Sequence, residues 1–85
     1  MIVVNKTKAL QNKRNAAVMT ASEFKLALFT QGYLDQVEAS YPSWSKDIQI
    51  MYDNSQTFER MNPTLISMMK QLGFTDAQAD TLFGI

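Results

Sequence analysis

The chain has 85 residues, eight of them basic and eight acidic, with no cysteine and no histidine. That length is one domain. The missing residue types exclude a disulfide framework, thiolate chemistry and any triad built on a histidine base, and they deprive a zinc site of its usual ligands. Six methionines and nine aromatics within a 46% hydrophobic chain describe a folding sequence rather than a disordered one.

Charge divides the chain unevenly. Residues 1–19 carry Lys6, Lys8, Lys13 and Arg14 and no acid, a charge of +4, whereas residues 20–85 carry the other four bases and all eight acids, a charge of −4. Between Asn5 and Ala16 the only apolar residues are Ala9 and Leu10. Residues 1–19 therefore read as a basic arm, flexible or partly helical between Lys6 and Val18, and residues 20–85 as a compact domain beginning near Met19. Ile2, Val3 and Val4 form the one stretch suited to an edge strand. The apolar opening is only four residues long and precedes the charges, so it does not read as a signal peptide. No apolar run approaches the roughly 20 residues that span a bilayer. The expected location is the cytoplasm.

From residue 20 the punctuation is helical. Thr20 and Glu23 have capping-box spacing, with Ser22 as the competing N-cap, Phe24, Leu28 and Gln31 share a face with Ala27 beside them, and Gly32 is a helix stop. A short second segment runs from Tyr33 to Tyr41, with Leu34, Val37 and Tyr41 at helical spacing, and ends at Pro42. In the third, Trp44, Ile48, Met51, Ser55 and Phe58 recur at steps of four and three, predicting one long helix that Met61 extends, capped by Ser43 or Ser45. Asn62-Pro63 opens a fourth helix whose buried face is expected to be Leu65, Ile66, Met69 and Leu72. Gly73 follows it in a left-handed turn. Thr75 and Gln78 make a second capping box for a last helix from Asp76 to about Phe83 that buries Ala79, Leu82 and Phe83. No segment alternates with period two for long. The expected fold is all-α: a small bundle of four or five short helices with a basic N-terminal arm.

Motifs that suggest chemistry have plainer readings. Ser67-Met68-Met69-Lys70 matches S-x-x-K but lacks the companion motifs of such a site. Asp76 and Asp80 stand one turn apart with no third ligand at a useful spacing, and Asp76 suits a helix N-terminus. Asp47, Asp53 and Glu59 read as solvated positions on the third helix. Leu72-Gly73-Phe74-Thr75 has the outline of a helix-turn-helix, but the following helix carries two acids and no base, which phosphates would repel. The same Leu-Gly-Phe turn is like the loop of ubiquitin-associated domains, which need one more helix than this sequence provides. No catalytic, cofactor-binding or metal-binding residue is assigned, and no enzyme activity or cofactor is expected.

Several groups of residues, taken in order, carry a resemblance. After Phe24 and Ala27 come Gly32-Tyr33-Leu34-Asp35-Gln36-Val37-Glu38-Ala39, then Tyr52 and Thr57-Phe58-Glu59-Arg60. Asn62-Pro63-Thr64-Leu65 follows, and the end is Leu72-Gly73-Phe74-Thr75-Asp76 with Gln78, Asp80 and Leu82-Phe83. Over residues 24–83 this order resembles a group of small proteins of tailed bacteriophages and prophages, often encoded near tail-fibre genes and without an assigned activity. The resemblance implies a phage setting, with tail assembly or host-protein binding as its roles, within the host cell or on the virion. It carries over no catalytic residue, and residues 1–19 depart from the pattern.

Two functions compete on these grounds. The first is a non-enzymatic module that binds another phage protein, a host protein or a second copy of itself. Too many apolar residues crowd the third and fourth helices to be buried on one face each. Ile50, Tyr52, Met68 and Phe74 are therefore the candidate protein-interface residues. The alternative is a nucleic-acid-associated protein whose Lys6, Lys8, Lys13 and Arg14 contact phosphates without sequence preference. Neither reading involves a membrane.

Overall fold

In a computed structural model, which describes residues 6–85 and side chains from residue 8 on, the first element is a helix, α1 (Lys6–Ala16). Ile2, Val3 and Val4, expected as an edge strand, lie outside the described residues. Lys13 and Arg14 fall in the last turn of α1, where positive charge complements the helix dipole. The chain continues through β1 (Val18–Thr20), α2 (Ala21–Thr30), α3 (Leu34–Ser40), a 3₁₀ turn (Tyr41–Ser43), α4 (Lys46–Asn54), β2 (Thr57–Glu59), α5 (Pro63–Gln71) and α6 (Asp76–Leu82).

The helix boundaries follow from local chemistry. Thr20 and Glu23 close a reciprocal box: the Glu23 amide donates to Thr20 Oγ1 at 3.1 Å and the Thr20 amide to Glu23 Oε1 at 2.9 Å. Thr75 and Gln78 do the same at α6. Asn62 Oδ1 accepts from the Thr64 and Leu65 amides, and Pro63 occupies the first turn of α5, where its missing N–H is no loss. Gly73, at φ 81°, ends α5: the Phe74 amide reaches back to the Met69 carbonyl at 3.0 Å, the six-to-one bond of a Schellman turn. Gly32 ends α2 in the same way at φ 82°.

The fold is mostly helical, but it is not the expected four- or five-helix bundle. Among the described residues there are six α-helices and a two-stranded antiparallel ribbon. Met19 pairs with Phe58, Val18 with Glu59 and Thr20 with Thr57. The Ala21 amide to the Gln56 carbonyl and the Arg60 amide to the Ala17 carbonyl bracket the ladder, at 2.9 and 3.0 Å. The third helix therefore does not run on to Phe58. It stops at Asn54, whose side-chain amide bonds back to the Ile50 carbonyl, and Ser55 turns extended at ψ 131°. Phe58 reaches the core from a strand in which only the middle residue points inward. Residue 58 kept helical phase with Ile48 and Met51 by coincidence of spacing.

The core is a run of rings in contact. Tyr41 meets Trp44, Trp44 meets Tyr52, Tyr52 meets Phe58, Phe58 stacks on Phe24 with centroids 4.6 Å apart, and Phe24 meets Phe83. Leu28, Val37, Ile48, Leu65, Met68 and Leu82 pack with them, fully or nearly fully buried. On α5 the buried set is Leu65, Met68, Met69 and Leu72, the i, i+3, i+4, i+7 stripe, and Ile66 is only half-buried. Phe58, stacked between two helices' worth of aromatics, has no room to be replaced by solvent. Phe58→Ala should cost about 3–5 kcal/mol in urea-induced unfolding. Gly73 has open space where a Cβ would stand, so its constraint is the backbone alone. Gly73→Ala should cost about 1 kcal/mol in the same measurement, and Gly73→Asn less.

Candidate protein-interaction site

The four residues expected to form an apolar surface do not form one. Tyr52 and Met68 are core residues, at 6% and 0% exposure. On α4 Ile48 and Tyr52 stand four apart and both face inward, beside Trp44 just before the helix, which turns Tyr52 into the protein. On α5, Met68 lies within the stripe rather than beside it. Phe74 is half-buried with its ring against Tyr33, centroids 4.9 Å apart. Ile50 alone of the four is exposed, at 52%.

Val18 on β1, at 57%, and two residues on α2 that the sequence reading passed over are more exposed still. Leu26 and Phe29 stand at 63% and 67% exposure on α2. They are three residues apart, hence adjacent on one face, and that face is opposite the one carrying Phe24 and Leu28. Phe29 also walls a shallow hollow with Gly32, Leu34 and Asp35 at the turn between α2 and α3. The site is thus an apolar ridge on α2 that runs into a depression at the head of α3. Its surrounding charges are acidic: Glu23 one turn before Leu26, and Asp35 in the hollow itself. Glu23 is held ionised below the usual carboxylate range by the Thr20 backbone amide and hydroxyl. Lys25, the one base on α2, is turned the other way, its Nζ 4.7 Å from the centre of the Tyr52 ring. Helical phase was the signal that could have found Leu26 and Phe29, since both fall outside the Phe24–Leu28 stripe.

The basic residues of the N-terminal segment are not all directed at solvent. Arg14 makes a two-pronged ion pair with Asp80 on α6, Nε to Oδ1 at 2.9 Å and Nη2 to Oδ2 at 2.7 Å. Arg60, 3% exposed just after β2, donates its Nε to Asp80 Oδ1 at 3.0 Å. Its Nη2 also stands 3.7 Å from the exposed Asp76 carboxylate. Arg14 is thereby withdrawn from the candidate phosphate contacts, because its guanidinium donors are spent on a carboxylate. Lys13 is exposed, Lys8 is exposed but engaged in an interaction of its own, and the Lys6 side chain lies outside the described residues.

Asp53 is exposed, as expected, and accepts a hydrogen bond from the Tyr41 hydroxyl that pushes the Tyr41 pKa up. The buried Trp44 Nε1 and Tyr52 hydroxyl have no hydrogen-bond partner among the described residues. Ser67 and Lys70 are both exposed on α5. Among the described residues no three acidic, cysteine or histidine side chains converge as metal ligands, and no helix is long and apolar enough to cross a membrane. No protein-family model matches the chain, and neither does any curated protein or solved structure.

Asp80 sets a pH dependence. The Arg14 hydrogen bonds, opposed by desolvation and reinforced by Arg60, hold its carboxyl below the usual carboxylate range. The unfolded chain protonates this group near pH 4; the folded chain does so at lower pH. The stability this contributes is fully present above the unfolded value and is lost as pH falls through the native one. Asp80→Asn should cost roughly 2–3 kcal/mol at neutral pH, and Arg14→Met less, since Arg60 still holds the carboxylate. Thermal melts from pH 7 down to pH 3 should show the gap between wild type and Asp80→Asn closing as the solution becomes more acidic.

Proposed function

We propose that this protein is a non-enzymatic interaction module that binds another protein through the α2 ridge and the hollow beside it. The observation that carries this reading is the exposure of Leu26 and Phe29, two large apolar side chains adjacent on one helix face at more than 60% exposure each. A lone exposed leucine means little, but an apolar pair beside a depression, rimmed by charge, has the form of an interface centre. The nearby acids suit a partner that brings basic residues around an apolar anchor. A phage or prophage setting, in tail assembly or host-protein binding, rests on the order of residues over 24–83 alone.

The nucleic-acid alternative is weaker in these terms. One of its four cations is bound to Asp80, and the body that follows carries an excess of acid.

Leu26→Ser combined with Phe29→Ser tests the reading. Because both side chains are exposed, the double variant should keep the wild-type melting temperature to within a few degrees. Immobilised wild type and variant would be compared for proteins retained from phage-infected or prophage-carrying cells. The reading expects a stoichiometric protein, this chain or another, held by the wild type and lost by the variant. Equal retention by both would remove the ridge from the account, and strong salt-sensitive DNA binding unaffected by the variant would favour the alternative.

A further inference from the structure

We infer that the α2 ridge and its hollow take a short peptide segment of another protein, which seats one apolar side chain beside Phe29 and sets a Lys or Arg against Asp35. The inference rests on the reading of the ridge as a protein interface and names the chemistry of its partner. Size comes first. The hollow lined by Phe29, Gly32, Leu34 and Asp35 has a volume of about 100 Å³, well short of the roughly 300–1,000 Å³ of a small-molecule site. It has room for one side chain. On the Gly32 side nothing beyond the chain neighbours lies within 4 Å of where a Cβ would stand, so entry is open there. A side chain entering the hollow lies against Phe29, and Leu26, one turn earlier on the same face, extends the apolar contact.

Charge decides which segment fits. Asp35, exposed in the wall of the hollow, has no hydrogen bond or ion pair among the described residues. Asp80 and Asp53, by contrast, have their carboxylates taken up by Arg14 and Tyr41. The last turn of α2 holds no basic residue, so the negative end of the helix dipole is uncompensated where the chain turns into the hollow. Residues 26–45 contain Asp35 and Glu38 and no base at all. Lys25, just before them, is directed at the Tyr52 ring. An apolar hollow with an unpaired carboxylate and an uncompensated helix end is completed by a cation on the incoming chain. Ridge against ridge in a second copy would set these acids against one another, and a nucleic acid would bring phosphates to them, so neither suits the site.

The test selects a displayed library of random short peptides on the immobilised full chain. The enriched peptides are then synthesised and titrated into the isotope-labelled protein. They are expected to share a large apolar residue with a Lys or Arg close by, and to shift the amide resonances of Leu26, Phe29, Gly32 and Asp35. Leu26→Ser with Phe29→Ser should abolish the shifts. Asp35→Lys should weaken binding about tenfold. A peptide whose Lys or Arg is changed to Glu should bind Asp35→Lys more tightly than it binds the wild type. Asp35 also stands in the first turn of α3, where a carboxylate favours the helix. Asp35→Asn is therefore measured alongside, with a smaller loss expected, and circular dichroism melts confirm that each variant is folded. Enrichment of apolar residues without a base would overturn the inference. So would shifts centred away from the ridge, or equal affinity of the basic peptide for wild type and both Asp35 variants. The absence of any enriched peptide would overturn it too. In each case the retention experiment with the ridge variant still decides separately whether α2 is an interface.

Discussion

A single carboxylate joins three parts of this chain that are far apart in sequence. Asp80 stands on the last helix, Arg60 follows the second strand, and Arg14 ends the first helix. A short helix such as α1, polar and without a fully buried side chain among its described residues, has little reason to be ordered in water by itself. The two-pronged bond from Arg14 supplies one, and because the carboxylate is shared, the position of α1 depends on the seating of Arg60. Arg60 is in turn fixed by its amide bond to the Ala17 carbonyl, which extends the ribbon between Met19 and Phe58. Electrostatics, strand pairing and the aromatic core thus meet at one place.

Local rules were legible in the sequence wherever a side chain acts on its own backbone. The capping boxes at Thr20 and Thr75, the Asn62-Pro63 start of α5 and the left-handed turn at Gly73 are all settled within a few residues, and all stand where their spacing puts them. The ribbon was not legible, because strands of three residues are too short to show alternation, and Thr57-Phe58-Glu59 fits a helical phase equally well. What makes it a strand is Met19, 39 residues earlier, and no local pattern contains that partner. Asp76 and Asp80 were rightly seen as sharing a helix face. Their real difference, one carboxylate exposed and the other enclosed by two arginines, arises only in three dimensions.

The surface was misjudged for a different reason. Counting apolar residues on α4 and α5 suggested an excess, but short helices in a small domain absorb such an excess when several elements converge on them. Tyr52 is covered by Trp44, Tyr41 and Lys25, and Met68 sits within the common core. Besides Val18, Ile50 and Met61, the exposed large apolar residues among those described are Leu26 and Phe29 on α2, whose opposite face already supplies Phe24 and Leu28. A helix that is apolar on two sides in a domain this small keeps one of them exposed within its own chain.

The dependence of α1 on Asp80 is measured most directly by amide hydrogen exchange, residue by residue, in the wild type and in Arg14→Met. The account predicts that the amides of Leu10 to Arg14 are protected in the wild type and exchange near the unprotected rate in the variant. The amides of Leu28, Met69 and Leu82 should stay protected in both. Wild-type amides in α1 that are already unprotected, or protection there that survives the loss of the guanidinium, would contradict it.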